Sequence, residues 1–111
     1  MSSGTDVVVF RVADHGALLV TRDQGAVVRG ELLRVLREHG ADTVEVHLDG
    51  VDTYTPSFMD ELLGKTLVEI GRDAFRDRVR LVAARNEVQK LANLVLNNRL
   101  ASLRGPAAKK R

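Results

Sequence analysis

His47-Leu48-Asp49-Gly50-Val51-Asp52-Thr53-Tyr54-Thr55-Pro56-Ser57-Phe58-Met59-Asp60-Glu61-Leu62-Leu63 is the stretch whose reading decides the fold. The β-rich run Thr43-Val44-Glu45-Val46-His47-Leu48 empties into a polar loop, and the loop empties into a helix. Pro56 has a fixed φ suited to a first helical turn and no N–H to leave unpaired, so Thr55 reads as N-cap and Pro56 as the first helical residue. The junction is a strand end facing a helix start, and in an α/β sheet partners and ligands collect at such corners.

Upstream, Asp6-Val7-Val8-Val9-Phe10-Arg11-Val12 and Ala17-Leu18-Leu19-Val20 are apolar runs joined by Ala13-Asp14-His15-Gly16. They read as an antiparallel β-hairpin. Thr21-Arg22-Asp23-Gln24 has capping-box spacing and opens a helix. Val28, Leu32, Val35 and Leu36 form its apolar stripe, with Arg29, Glu31, Arg34, Arg37 and Glu38 outside, and Gly40 closes it. Gly25 and Gly30 weaken that helix by about 1 kcal/mol each against Ala, and close packing on the sheet is the expected reason for them. In Thr43–Leu48 the apolar residues alternate with Thr43, Glu45 and His47, which predicts a sheet covered by helices on a single face.

Downstream, Met59, Leu62, Leu63, Thr66, Leu67 and Ile70 predict the buried stripe of a second helix, with Asp60, Glu61, Lys65 and Glu69 toward solvent and Gly71 ending it. Arg72–Arg78 reads as a solvated connection with one aromatic, Phe75, tucked in. Val79–Ala84 is a fourth strand, and Asn86 caps a third helix with Val88, Leu91, Ala92, Val95 and Leu96 inward. The predicted order is ββαβαβα, a mixed four-stranded sheet with helices on one face. The predicted organisation is a disordered start over 1–4, one domain over 5–102 and a disordered basic tail over 103–111.

Composition narrows the chemistry. The 111 residues are 44% hydrophobic and 29% charged, the balance of one ordinary domain with enough apolar surface for a core. With no cysteine, disulfides, thiolate metal sites and thiol nucleophiles are excluded. No apolar run reaches the ~20 residues of a membrane span, and Met1-Ser2-Ser3-Gly4 lacks signal-peptide character, so the expected address is cytoplasmic. The net charge of +2 comes from Arg104, Lys109, Lys110 and Arg111; without those four the chain carries 13 basic against 15 acidic residues. Basic character therefore belongs to the tail, and with one Tyr and three Phe there is little aromatic surface for stacking on bases.

Thr21-Arg22 opening the first helix, Val46-His47-Leu48-Asp49-Gly50-Val51 as strand and exit, Ser57-Phe58-Met59-Asp60-Glu61-Leu62 opening the second helix and Asn86-Glu87-Val88 opening the third together resemble the STAS-like family, a relative of the STAS domains of anti-sigma factor antagonists. The resemblance covers roughly residues 5–102. It implies a protein-binding regulatory module without catalysis or cofactor of its own, docking an anti-sigma or histidine-kinase-like ATPase through this corner. In such relatives a serine that follows an aspartate at the strand exit, in an Asp-Ser-Ser-Gly pattern, is phosphorylated to break the complex. Here the matching segment is Thr55-Pro56-Ser57-Phe58, which puts Pro56 at the acceptor position and leaves Ser57, one residue along, as the substitute.

Other chemistries can be weighed on the residues. Phosphate on Ser57 would add about two negative charges at a helix start, against the plainer role of filling out the cap. Asp49, Asp52, Asp60 and Glu61 could form an acidic enzyme site or bind a metal; as turn and first-turn carboxylates they need do neither. A triad of Ser57, His47 and Asp49 lacks the strained turn a nucleophile requires. Arg22 either reaches the corner or makes a surface ion pair, and Tyr54 and Phe58 are either interface anchors or core. The expected partner-binding set is Thr53, Tyr54, Thr55, Ser57, Phe58, Asp60 and Glu61, with no metal, no membrane and a homodimer through the hairpin edge left open. The competing readings are a small enzyme using Ser57 or the acidic cluster, and a nucleic-acid accessory acting through the basic tail.

Overall fold

The computed structural model describes residues 6–109. Strand β1 (Val7–Arg11) and β3 (Thr43–His47) pair in parallel with Val8 beside Val44 and Phe10 beside Val46, and β3 pairs in parallel with β5 (Val79–Val82). The strand order is β1-β3-β5. The expected hairpin does not form. A 3-10 turn over Val12–His15, with Val12 fully buried, and Gly16 at φ 140° turn the chain out of the sheet. The following strand β2 (Leu18–Leu19) then pairs in parallel with β4 (Thr53–Tyr54) as a separate two-stranded sheet. The four-stranded mixed sheet is thus replaced by a three-stranded and a two-stranded sheet, both parallel.

Helix α1 (Arg22–Glu38) begins with the predicted capping box: Gln24 N donates to Thr21 Oγ1 at 3.1 Å, and Thr21 N donates to Gln24 Oε1 at 3.0 Å. It ends at Gly40, whose φ of 57° only glycine adopts without strain. The second helix is unbroken, with helical backbone at Met59, Asp60, Gly64 and Lys65, but it changes hydrogen bonding midway. It runs as α2 (Pro56–Met59), a π-helical turn over Asp60–Gly64, and α3 (Lys65–Ile70), ending at Gly71. Arg72–Arg78, expected as a connection, is helix α4; Phe75 N donates to Gly71 O at 3.0 Å and Phe75 is its one buried residue. Ala74 and Phe75 are adjacent and make no stripe at helical spacing, so periodicity carries no signal there. Helix α5 (Asn86–Lys109) starts one residue earlier than a cap at Asn86 implies, with Gln89 N bonded to Arg85 O at 3.1 Å. It continues through most of the stretch expected to be a basic tail; residues 1–5, 110 and 111 lie outside the described residues.

One core joins these elements: Phe10, Val44 and Val46 from the sheet, Val28, Leu32 and Leu36 from α1, Phe58, Met59, Leu62, Leu63 and Leu67 from the second helix, and Val88, Ala92 and Val95 from α5. On the other sheet face Val7 and Val9 are exposed, and Glu45 bonds both Arg80 (3.0 Å) and His47 (3.1 Å).

Candidate functional site

Because β2 and β4 pair in parallel, the strand ends that precede α1 and α2 lie side by side. Each is followed by a threonine N-cap. Thr55 Oγ1 accepts from Phe58 N at 3.2 Å and donates to Val20 O at 2.6 Å, so a single hydroxyl closes the α2 start and ties it to the end of β2. Tyr54 OH donates to Leu48 O at 2.7 Å, and its ring lies 5.8 Å from that of Phe58. Burial pushes the Tyr54 phenol above its ordinary value, so it stays a neutral donor. The backbone at 53–58 is fixed from behind by these contacts.

The candidate residues divide by exposure. Thr53 and Pro56 are exposed and Ser57 is half-buried; Phe58 is fully buried, so it is core and not an anchor waiting for a partner. Glu61, expected on the solvent side, is 6% exposed. Its Oε2 accepts from Arg29 Nη1 at 2.8 Å and pairs with Lys65 Nζ at 3.2 Å, and its Oε1 accepts from Arg22 Nη1 at 3.1 Å. Asp60 is held by both Nε and Nη2 of Arg99, at 2.8 and 2.7 Å, and by Arg22 Nη1 at 3.3 Å. The hydrogen bond from Arg29 holds the Glu61 carboxyl below its ordinary value against the opposing effect of burial, and the fork of Arg99 does the same for Asp60.

Two glycines make room for this arrangement. A Cβ on Gly64 would overlap Asp60 Oδ1 and lie 2.9 Å from Arg99 Cγ, so glycine leaves room for the Asp60–Arg99 fork. A Cβ on Gly25 would lie 2.7 Å from Glu61 Cβ and 3.0 Å from Phe58 O, so Gly25 lets α1 approach the second helix, and not the sheet as expected. Gly30 has open space beside it and no packing role.

Sequence reading found Arg22 but placed Arg29 outside, and it gave Lys65 and Arg99 no link to the corner. Arg29 is 19% exposed against Glu61, and Arg99 comes from α5, 39 residues beyond Asp60. A pairing that distant leaves no local signal; the glycines at 25 and 64 are its nearest trace.

The alternative chemistries are not brought together. Asp49 Oδ1 accepts from Ala84 N at 2.7 Å, Asp52 is exposed, and Asp60 and Glu61 are occupied by cations. His47 pairs with Glu45 on the open sheet face, His15 stacks on Phe10 and His39 faces Asp42. Among the described residues no group of three or more His, Asp or Glu could hold a metal ion, and no helix is long and apolar enough to cross a membrane.

Two clefts flank the corner. One, of about 390 Å³, runs between the α2 start and α5 past Arg22, Ser57, Asp60 and Arg99; the other, of about 380 Å³, lies by Thr53, Tyr54 and Arg85. No curated protein and no solved structure matches the chain. The family model described as a STAS-like domain of unknown function (DUF4325) matches residues 24–89, from the first turn of α1 through the corner to the start of α5. More than half of the sequence, including residues 53–61, Arg29 and Lys65, falls in that match, while β2, Val20, Arg22 and Arg99 lie outside it, and the chain belongs to the STAS-like family.

Proposed function

We propose that this domain acts by binding a protein partner at the 53–61 corner, as a cytoplasmic signalling module that regulates transcription through an anti-sigma or histidine-kinase-like ATPase. The observation that carries the reading is the division of labour within the corner. Thr55, Tyr54 and the ion pairs of Asp60 and Glu61 with their cations fix the backbone, while Thr53 and Pro56 are exposed and Ser57 is half-buried. A surface held in one conformation before its partner arrives loses less entropy on binding. On this reading Phe58, Asp60 and Glu61 support the dock rather than touch the partner. Ser57 makes no side-chain hydrogen bond among the described residues, so its hydroxyl is left for the partner or for phosphorylation.

The test is affinity capture with mass spectrometry, comparing the wild-type chain with Thr53→Arg, Ser57→Arg and, as a distant control, Arg34→Ala. A partner retained by wild type and Arg34→Ala but lost by both arginine variants is the expected result, and phosphate on Ser57 is read from the same spectra. Retention by both arginine variants contradicts the dock. A turnover abolished by Ser57→Ala would transfer the corner to the enzyme reading.

A further inference from the structure

The charge around the π turn is unbalanced. Four cations, Arg22, Arg29, Lys65 and Arg99, lie within 3.3 Å of only two carboxylates, Asp60 and Glu61. The next carboxylate, Glu69, is 4.0 Å from Arg29. Two of these cations, Arg22 and Arg99, line the cleft between α2 and α5, where Asp60 is the one carboxylate, while Arg29 and Lys65 line a neighbouring cleft with Glu69. Arg22 serves both carboxylates through Nη1 alone; its Nε and Nη2 have no protein acceptor among the described residues. Arg99 likewise commits Nε and Nη2 to Asp60 and leaves Nη1 without one. Asp60, the one carboxylate in the cleft, is covered by the Arg99 fork and so presents little repulsion to an anion.

The same cleft carries uncommitted neutral donors and an apolar wall. Ser57 and Asn98 line it with no side-chain hydrogen bond among the described residues, and Leu94 lines it 54% exposed. Its volume, about 390 Å³, lies within the range of small-molecule sites. A bare oxyanion would use the guanidinium donors and leave Leu94 wet. A phosphomonoester with a compact apolar body would use both, because arginine donors match phosphate oxygens in charge and planar geometry and the body would cover the leucine.

We propose that the α2–α5 cleft binds a small phosphomonoester, its phosphate held by Arg22, Arg99 and Ser57 and its organic body laid on Leu94. The cleft shares Pro56 and Ser57 with the proposed dock, but ligand binding there does not depend on a protein partner and is measured on the free chain.

The experiment is an amide chemical-shift titration of the full chain with phenyl phosphate, inorganic phosphate, phenol and a short phosphoserine peptide, at fixed ionic strength. Saturable shifts centred on residues 22, 57 and 94–99, with phenyl phosphate binding more tightly than inorganic phosphate and phenol not binding, are expected. Arg22→Gln leaves the Asp60–Arg99 fork in place and should weaken phenyl phosphate about tenfold. Leu94→Ser should weaken phenyl phosphate while leaving inorganic phosphate unchanged. Shifts spread evenly over the chain's arginines, or phenyl phosphate affinity unaltered in both variants, would overturn the site. Tighter binding of the phosphoserine peptide than of phenyl phosphate would overturn the small-molecule source and assign the phosphate to a protein.

Discussion

Two charge clusters, both drawing arginines from α1, behave differently. Arg34 bonds Glu31 and Glu38 with all three side chains about half exposed, at ordinary helical spacings of three and four residues. Glu61, by contrast, is almost sealed from solvent and collects Arg22, Arg29 and Lys65 from two helices, while Asp60 beside it takes Arg99 from a third. Water screens the first cluster and pays for most of its desolvation; the second depends on its partners, because a buried carboxylate without them is costly. Only the second can hold tertiary structure, and it is the one behind the corner.

The largest effect should come from breaking the buried cluster. Glu61→Ala leaves Arg29 partly buried beside a small cavity and should destabilise the domain by about 3 kcal/mol, read by urea unfolding. Acid should act on the same carboxylates. Both Asp60 and Glu61 are held below their ordinary values of 3.8 and 4.5, so the unfolded chain binds protons more readily than the folded one. The stability they contribute is fully present above pH ~4.5 and is lost as pH falls through their folded values. Glu61→Gln should flatten the acid limb of a stability–pH curve, leaving Asp60 and the surface carboxylate Glu31, which the Arg34 hydrogen bond also holds low, to contribute to what remains.

The two glycines of α1 should separate in sign. Gly25→Ala forces a Cβ against Glu61 and the Phe58 carbonyl, and should cost about 1–3 kcal/mol. Gly30→Ala meets nothing within 4 Å and should stabilise the helix by about 0.5–1 kcal/mol. Thermal melts of both variants check the pair; equal effects would mean that α1 does not approach the second helix closely at residue 25. Smallest of all, Arg34→Ala should leave the melting midpoint within error, since its partners stay solvated.

The same contrast sets what the sequence could disclose. Thr21–Gln24, Thr55–Pro56, Gly40 and Gly71 carry local backbone chemistry, and all four mark helix ends where expected. The apolar stripes of α1, the second helix and α5 likewise follow from period alone. Strand partnership does not. Leu18–Leu19 read as the return strand of a hairpin because Asp14-His15-Gly16 resembles a turn, yet its backbone pairs with Thr53–Tyr54, 35 residues away. Glu61 read as a solvated charge because its cations come from residues 22, 29 and 65, only one of which lies within a helical turn of it. The corner's position was therefore legible, and its internal support was not.

The central claim is that buried ion pairs hold the corner in one conformation before any partner arrives. Hydrogen exchange of the free chain tests it most directly. Amides over 58–64 should exchange as slowly as those in the middle of α1, and Glu61→Gln should speed them while leaving the β1–β3 ladder unchanged. Exchange over 58–64 as fast as at the helix ends in the wild-type chain, or unchanged in Glu61→Gln, would contradict it.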